Sequence, residues 1–323
     1  MTRNLPRRTF LTSVAALAAF GARAQGAYPN RPIRMVIPFA AGGATDVLGR
    51  DLAQAMTATL GQSFVVENMG GGAGVPALNT VARSPADGYT TFFCASGNIT
   101  AQPLLAKNRV DILGQLTPVG MVATAPHVLV VSAKLPVHTV GELVAHAKAH
   151  PGTLNFGSAG VGGLAHLGTE LFARTAGISI THVPYKGAAQ AMTDLVSGQV
   201  QGMFGTMPSF TGMIEKGAIR ALGTTAPSGA TPLKNLPLIA RAVPGFQYSS
   251  WNGIFVPVGT PAPLIEQLYI AMAKASTDKG LAKRFDEQGV DIALADSAQL
   301  AAAVHKEIAV WDKVIRDAKI QLN

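Results

Sequence analysis

The chain of 323 residues carries one cysteine, Cys94, so no intrachain disulfide holds it together. Cys94 sits in the apolar run "YTTFFCAS", where a thiol reads as a small buried hydrophobe in a strand rather than a reactive group. Stability must then come from the core that a chain of this length can bury. Charge is sparse as well: 14% of residues are charged against 48% hydrophobic, with a mean hydropathy of +0.27, which excludes a disordered chain. There is no block of like charges and no basic run interleaved with aromatics, which argues against nucleic acid as a partner. Beyond the N-terminal segment no apolar run approaches ~18 residues without a Gly, Pro or charge, so no membrane-spanning helix is expected. No G-x-x-x-x-G-K-S/T occurs, which excludes a P-loop, and no H-E-x-x-H, which removes that zinc signature.

What is present begins with an export signal. Arg3, Arg7 and Arg8 precede an apolar stretch from Phe10 to Phe20 and then Ala22-Arg23-Ala24, an A-x-A cleavage pattern over residues 1–24 that predicts a mature start at Gln25. Arg7-Arg8 followed by Phe10-Leu11 hints at twin-arginine export, but Pro6 stands where Ser or Thr is usual, so Sec and twin-arginine routes both remain. Removing four arginines and no acid takes the formal charge from +8 to +4.

The length suggests about two domains at ~150 residues each. Strand-like and helix-like segments alternate: "IRMVIPF", then "TDVLGRDLAQAMTATLG" with Gly61 as its stop, then "SFVVEN", "VPALNTVARS" and "YTTFFCAS". After the β-rich stretch "LTPVGMVATAPHVLVVSA" the alternation resumes through "IRALGTTA", with "PSFTGMIEKG" read as a helix within it. "YSSWNGIFVP" is a further β crossing, and two long amphipathic helices close the chain, the last with Leu300, Val304, Ile308, Trp311 and Ile315 in one stripe. The pattern predicts an α/β fold with largely parallel sheets. The two β crossings predict discontinuous domains, 28–125 with 247–323 and 126–246, hinged around a cleft that closes on a ligand.

The chemistry-bearing motifs are small-residue loops between a strand and a helix. "GVGGLA" from Gly160 and "GAGVPA" from Gly72 fit a dinucleotide fingerprint, but neither is followed by the ribose-binding acid that such a site needs. Ser158 in "NFGSAG" lacks the Gly two residues earlier that a nucleophile elbow requires; Phe156 stands there, and His166 and Asp194 downstream have no telling spacing. Glu142, His146 and His150 share a helix face that could hold a metal, but it reads more simply as a solvated surface. An anion socket remains. "PFAAGGATD" and "GSAGVGGLAH" each place small residues before a helix, and neither contains a cation. Backbone N–H groups at a helix start would then receive a carboxylate, with Asp46 at the helix start facing away from it.

Together, "IRMVIPFAAGGATDVLGRDLA", "VVENMGGGAGVPALNTVARSPADGYT", "NFGSAGVGGLAHL", "THVPYKGAAQAMTDLVSGQV" and "WNGIFVPVGTPAPLIEQL" resemble the Bug proteins, substrate-binding components of tripartite tricarboxylate transporters. The resemblance implies a type II-like periplasmic-binding-protein fold: two α/β domains with a ligand cleft at a two-strand hinge. It implies a periplasmic, non-enzymatic monomer without cofactor or metal. Its ligand would be a small di- or tricarboxylate, acidic amino acid or aromatic acid, delivered to the transporter's membrane subunits or serving in sensing. Carried over by motif, the first carboxylate loop would hold Phe39, Ala41, Gly42, Gly43, Ala44 and Thr45. The second would hold Ser158, Gly160, Gly162, Gly163 and His166. Tyr185, Lys186 and Gly187 would line the cleft, Ser96 and Asn98 would face the ligand, and Gly205 and Thr206 would form a variable pocket edge. The chain departs from the family pattern at Gln201, where Asp is usual, and at Ala86, where Pro is usual. The rival class is an exported α/β enzyme acting on a small acid through Ser158 or Lys186.

Overall fold

A computed structural model describes residues 28–71, 74–106, 111–185, 187–226 and 235–321. The export signal with its cleavage site, and Lys186, lie outside the described residues. Strand β1 (Ile33–Ile37) alternates cleanly: Ile33, Met35 and Ile37 pack on one face of a sheet and Val36 on the other. Helix α1 (Ala44–Leu60) turns Leu48, Leu52, Ala53 and Met56 onto the first of these faces. Burying Leu48, Leu52 and Met56 is worth about 1.5–3 kcal/mol each. The helix stops at Gly61, whose φ of 70° lets its N–H reach the Thr57 carbonyl.

The first half continues through β2 (Phe64–Asn68), α2 (Val75–Ala82), β3 (Thr90–Ala95), the short helices α3 (Ser96–Thr100) and α4 (Gln102–Leu105), and β4 (Leu116–Ala125). Cys94 on β3 is fully buried and its thiol pKa is pushed up by that burial, as fits an inert core residue. After Pro126 the chain enters β5 (His127–Ser132), α5 (Val140–Ala149), β6 (Asn155–Ser158), α6 (Leu164–Ala176), β7 (Thr181–Pro184), α7 (Ala188–Ser197), β8 (Gly202–Thr206), α8 (Thr211–Glu215) and β9 (Ile219–Thr224). It returns along β10 (Ser250–Pro257), then α9 (Ala262–Ala275), α10 (Lys279–Glu287), β11 (Asp291–Ala295) and α11 (Ser297–Asp317).

Two sheets result. One has the order β11-β4-β10-β3-β1-β2 and the other β7-β6-β8-β5-β9. The expectation of largely parallel sheets is corrected: β1 runs parallel to β2 and β3, and β6 to β7 and β8, but β4, β5, β9, β10 and β11 all pair antiparallel. The connection between sheets is responsible. β4 and β5 form one nearly continuous crossing, β10 returns beside β4, and neither needs a crossover helix to reverse direction.

"PSFTGMIEKG" is not one helix. It is a 3-10 turn at Met207–Ser209 followed by the short α8, with Pro208 and Gly212 limiting both. β11 and α10 carry weak sequence signals; α10 buries only Leu281 and Phe285 and starts at an Asp278 cap. Helix α11 starts at a capping box formed by Asp296 and Gln299 and touches both halves. Leu300 and Val304 pack under the first sheet, whereas Trp311, Val314 and Ile315 join the core of the second.

Candidate ligand cleft

A cleft of about 490 Å³ opens at the strand ends of the two sheets. Its first wall is Pro38 and Phe39 after β1, Gly71 and Gly74 before α2, and Gly97 and Asn98 on α3. Its second wall runs from Ser158 through His166, the turn between β6 and the first residues of α6. Among the described lining residues there is no Lys or Arg.

The two glycine turns are built alike. In the first, Gly42 takes φ 83° and Gly43 caps α1 at φ −74°, ψ 161°. In the second, Gly162 takes φ 79° and Gly163 caps α6 at φ −72°, ψ 160°. A Cβ at Gly42 or Gly162 would strain the left-handed backbone. Neither helix has a side-chain cap bond at its start, so the first-turn amides, which have no acceptor within the helix, point out of both N-termini. In each turn the first glycine donates its N–H four residues on: Gly42 to Asp46 Oδ2 at 2.7 Å and Gly162 to His166 Nδ1 at 3.0 Å.

That bond revises the expected role of Asp46. It is only 2% exposed and does not border the cleft, but it is more than an outward helix-start residue. It accepts from Gly42, from Arg50 Nε at 3.0 Å and from Asn68 Nδ2 at 2.9 Å. Burial alone would raise its pKa, but the bonds from Arg50, Gly42 and Asn68 together outweigh that and hold it below the usual range. The Gly42 amide is thereby engaged within the protein.

In the second turn Ser158 is 1% exposed. Its hydroxyl donates to the Gly160 carbonyl at 2.8 Å and accepts from Gly160 N–H at 3.2 Å. With its one proton so placed, the 2.7 Å bond to His182 is donated by His182 Nε2. A ring that donates to the serine is not poised as its base. His182 stacks on His166 at 3.6 Å, and both pKa values are pushed down to about 4, by burial first and, for His182, by the neighbouring ring. Because His166 Nδ1 accepts from Gly162, its proton sits on Nε2, 3.9 Å from Glu170. Asp194, the acid of the hydrolase alternative, instead accepts from the Tyr185 hydroxyl at 2.7 Å.

The other expected residues divide by position. Phe39, Asn98, Ser158, Gly160, Gly163 and His166 border the cleft. Ala41, Gly42, Gly43 and Ala44 are exposed and Thr45 half-buried, all outside the lining. Gly162 is buried within the second turn. Ser96, the first residue of α3, is fully buried, its hydroxyl accepting the Trp251 N–H at 3.4 Å. Gly205 borders a neighbouring hollow of about 260 Å³ that shares Ala159 and Ala165 with the main cleft. Thr206 bonds Ser209 instead, 3.1 Å between hydroxyls, and Tyr185, whose N–H donates to the Ser158 carbonyl at 2.9 Å, and Gly187 lie outside the lining. Glu142 accepts the His138 N–H at 2.6 Å on an exposed helix face, as a solvated surface would.

The sequence reading missed Gly71, Gly74, Ala95 and Gly97 of the lining and two polar residues. Gln102 on α4 donates from Nε2 to the Gly162 carbonyl at 3.2 Å, joining the two walls. His127, 7% exposed, borders the cleft at the start of β5. A polar residue between Pro126 and the apolar run from Val128 to Val131 was its only sequence signal.

Comparison with known proteins places this architecture. Residues 48–320 match the family model described as tripartite tricarboxylate transporter family receptor. Protein BugT of Bordetella pertussis is 34% identical over 100% of this chain and 99% of its own. Among solved structures, R. palustris Rpa4515 with adipate superposes with a TM-score of 0.77, at 35% identity over 91% of this chain and 99% of that one. MatC from Rhodopseudomonas palustris with bound malate gives 0.72, at 29% identity over 89% and 100%. The fold is thus the two-domain α/β fold of periplasmic binding proteins.

Proposed function

This chain belongs to the tripartite tricarboxylate transporter family of receptors, a family of solute-binding proteins, and from that premise we propose that it captures a small organic acid in the periplasm for delivery to membrane subunits. The observation that carries the reading is the start of α6: a helix without a side-chain cap, opening into a cleft with no described cation in its lining. Such a socket holds one carboxylate through neutral amides, with Ser158, Gly163 and His166 around it. The adipate and malate named for the two relatives support a small acid of that kind.

On this reading the N-terminal signal is cleaved before Gln25. The domains are 28–125 with 247–323, and 126–246, hinged at the β4–β5 crossing and β10, and the protein acts as a monomer. Among the described residues no helix is long and apolar enough to cross a membrane, which fits a receptor that meets its transporter from outside the bilayer. Thermal-shift screening over a panel of organic acids tests the reading. A ligand at 100 times its Kd adds about 2.7 kcal/mol of stability. A panel with no stabilising acid would count against it.

The rival, an exported α/β enzyme acting on a small acid through Ser158 or Lys186, has against it a His182 ring that donates to the Ser158 hydroxyl. Recovery of the bound acid unchanged after prolonged incubation supports the receptor. Turnover supports the enzyme.

A further inference from the structure

His127 is held on every side but one. Its N–H donates to Thr225 Oγ1 at 3.0 Å, and its carbonyl accepts from Thr225 N–H at 2.9 Å and Thr224 Oγ1 at 3.3 Å. The ring is therefore fixed at its root. Nδ1 lies 2.9 Å from the Tyr248 hydroxyl, with the two rings edge to face at 5.3 Å. Tyr248 is confined in turn. Gly168 on α6 lies so close that a Cβ there would collide with the phenol oxygen, and Phe246 and Trp311 each sit 5.7 Å away. The Tyr248 hydroxyl has no other hydrogen-bond partner among the described residues, and burial pushes its pKa up so that it keeps its proton; the one acceptor in reach of that proton is Nδ1, which assigns the direction of the bond. Burial likewise pushes the imidazole down to about 4, so His127 is neutral at pH 7 with its proton on Nε2. Nε2 has no partner among the described residues and is the ring atom left for the cleft that His127 borders.

We propose that His127 is the specificity-determining residue for the ligand's second polar group: its Nε2–H, fixed by Tyr248, requires a hydrogen-bond acceptor there. The favoured ligands are small acids carrying a second carboxylate, carbonyl or carboxamide oxygen. Acids ending in an alkyl group or an ammonium are disfavoured, because the first leaves a buried donor unsatisfied and the second opposes donor to donor. This rests on the carboxylate reading above and adds the chemistry of the ligand's other end.

The test is calorimetry at pH 7.5 with succinate against butyrate, and adipate against hexanoate, its carboxamide analogue adipic monoamide and 6-aminohexanoate. In the wild type the acids with an acceptor at the second end bind about tenfold or more tightly than the alkyl acid of the same length, and 6-aminohexanoate is the weakest. His127→Phe brings alkyl and acceptor acids of one length within about threefold of each other. Tyr248→Phe, which removes only the positioning hydroxyl, gives an intermediate ratio. Unfolding curves of both variants establish that they are folded. The wild-type ranking is a test in itself: an alkyl acid that binds as well as its acceptor partner overturns the proposal, and so does a His127→Phe protein that keeps the wild-type ratio. If the wild type binds every acid of a length equally, the carboxylate reading survives and this proposal falls. If it binds none, both fall.

Discussion

Replacing Asp46 by Ala removes the buried carboxylate that locks the first glycine turn. Three donors lose an acceptor: Gly42 N–H, Arg50 Nε and Asn68 Nδ2. They are not stranded equally. Arg50 is half exposed and keeps Asn68 Oδ1 at 2.7 Å, and Asn68 keeps the Phe39 carbonyl at 3.0 Å. Hydrogen bonds to a charged group are worth about 1.5–3 kcal/mol each, a half-exposed ion pair well under 1, and relief of the buried charge returns part of the total. The balance is a loss of about 2–3 kcal/mol, or roughly 4–10 °C in Tm at pH 7. Differential scanning calorimetry reads it. The pH dependence gives an independent check. Because the folded pKa of Asp46 lies below 3.8, its contribution is present above that value and is lost as pH falls through the folded pKa, so the gap between wild type and variant closes on acidification. A loss below about 1 kcal/mol, or a gap that does not change with pH, would refute the lock.

Further outcomes follow from the same geometry. Gly168→Ala pushes a methyl into the Tyr248 hydroxyl and should cost about 1–3 kcal/mol; calorimetric Tm unchanged within 1 °C would contradict that packing. Glu307, whose Oε1 accepts the Trp251 indole N–H at 2.7 Å, has its pKa raised to about 7 by burial, against which that bond works. Its acid form is matched to the fold below pH 4.5, and stability is lost as pH rises toward 7. Glu307→Gln should therefore stabilise the protein more at pH 8 than at pH 5, by up to about 3 kcal/mol, and equal effects at both would oppose the assignment. Buried His127 is neutral in the fold down to about pH 4 but protonates near 6.5 when unfolded, so acidification from 6.5 to 4 destabilises the protein by up to about 3 kcal/mol through this residue. His127→Phe should make that stretch of the stability–pH curve shallower, with His166 and His182 supplying the slope that remains, and an unaltered slope would show that His127 contributes none of it.

Local rules carried the reading where local chemistry decides the outcome. Gly61 ends α1 because only a left-handed residue closes that turn, and the paired glycines before α1 and α6 announce two helix starts from sequence alone. Where tertiary packing decides, the sequence was mute. Strand direction in β4, β5 and β10 depends on how two sheets share a crossing, which alternation cannot express. The stack of His166 on His182 joins α6 to an adjacent strand, and no spacing rule pairs them. Asp46 looked like an ordinary helix-start acid, because its loop partner Gly42 is visible only once the turn is folded back. His127 was hidden for the same reason: a strand's first residue gives no sign of which sheet edge faces a cleft.

The central claim is that a carboxylate is held by neutral donors at the start of α6. Calorimetry of the best-binding acid and its fully methylated ester, on wild type and Ser158→Ala, tests it most directly. Charge-assisted bonds exceed bonds to a neutral acceptor by enough that the ester should bind at least about tenfold more weakly, whereas Ser158→Ala, which removes a hydroxyl already engaged by Gly160 and His182, should cost less. An ester that binds as tightly as its acid would contradict the account.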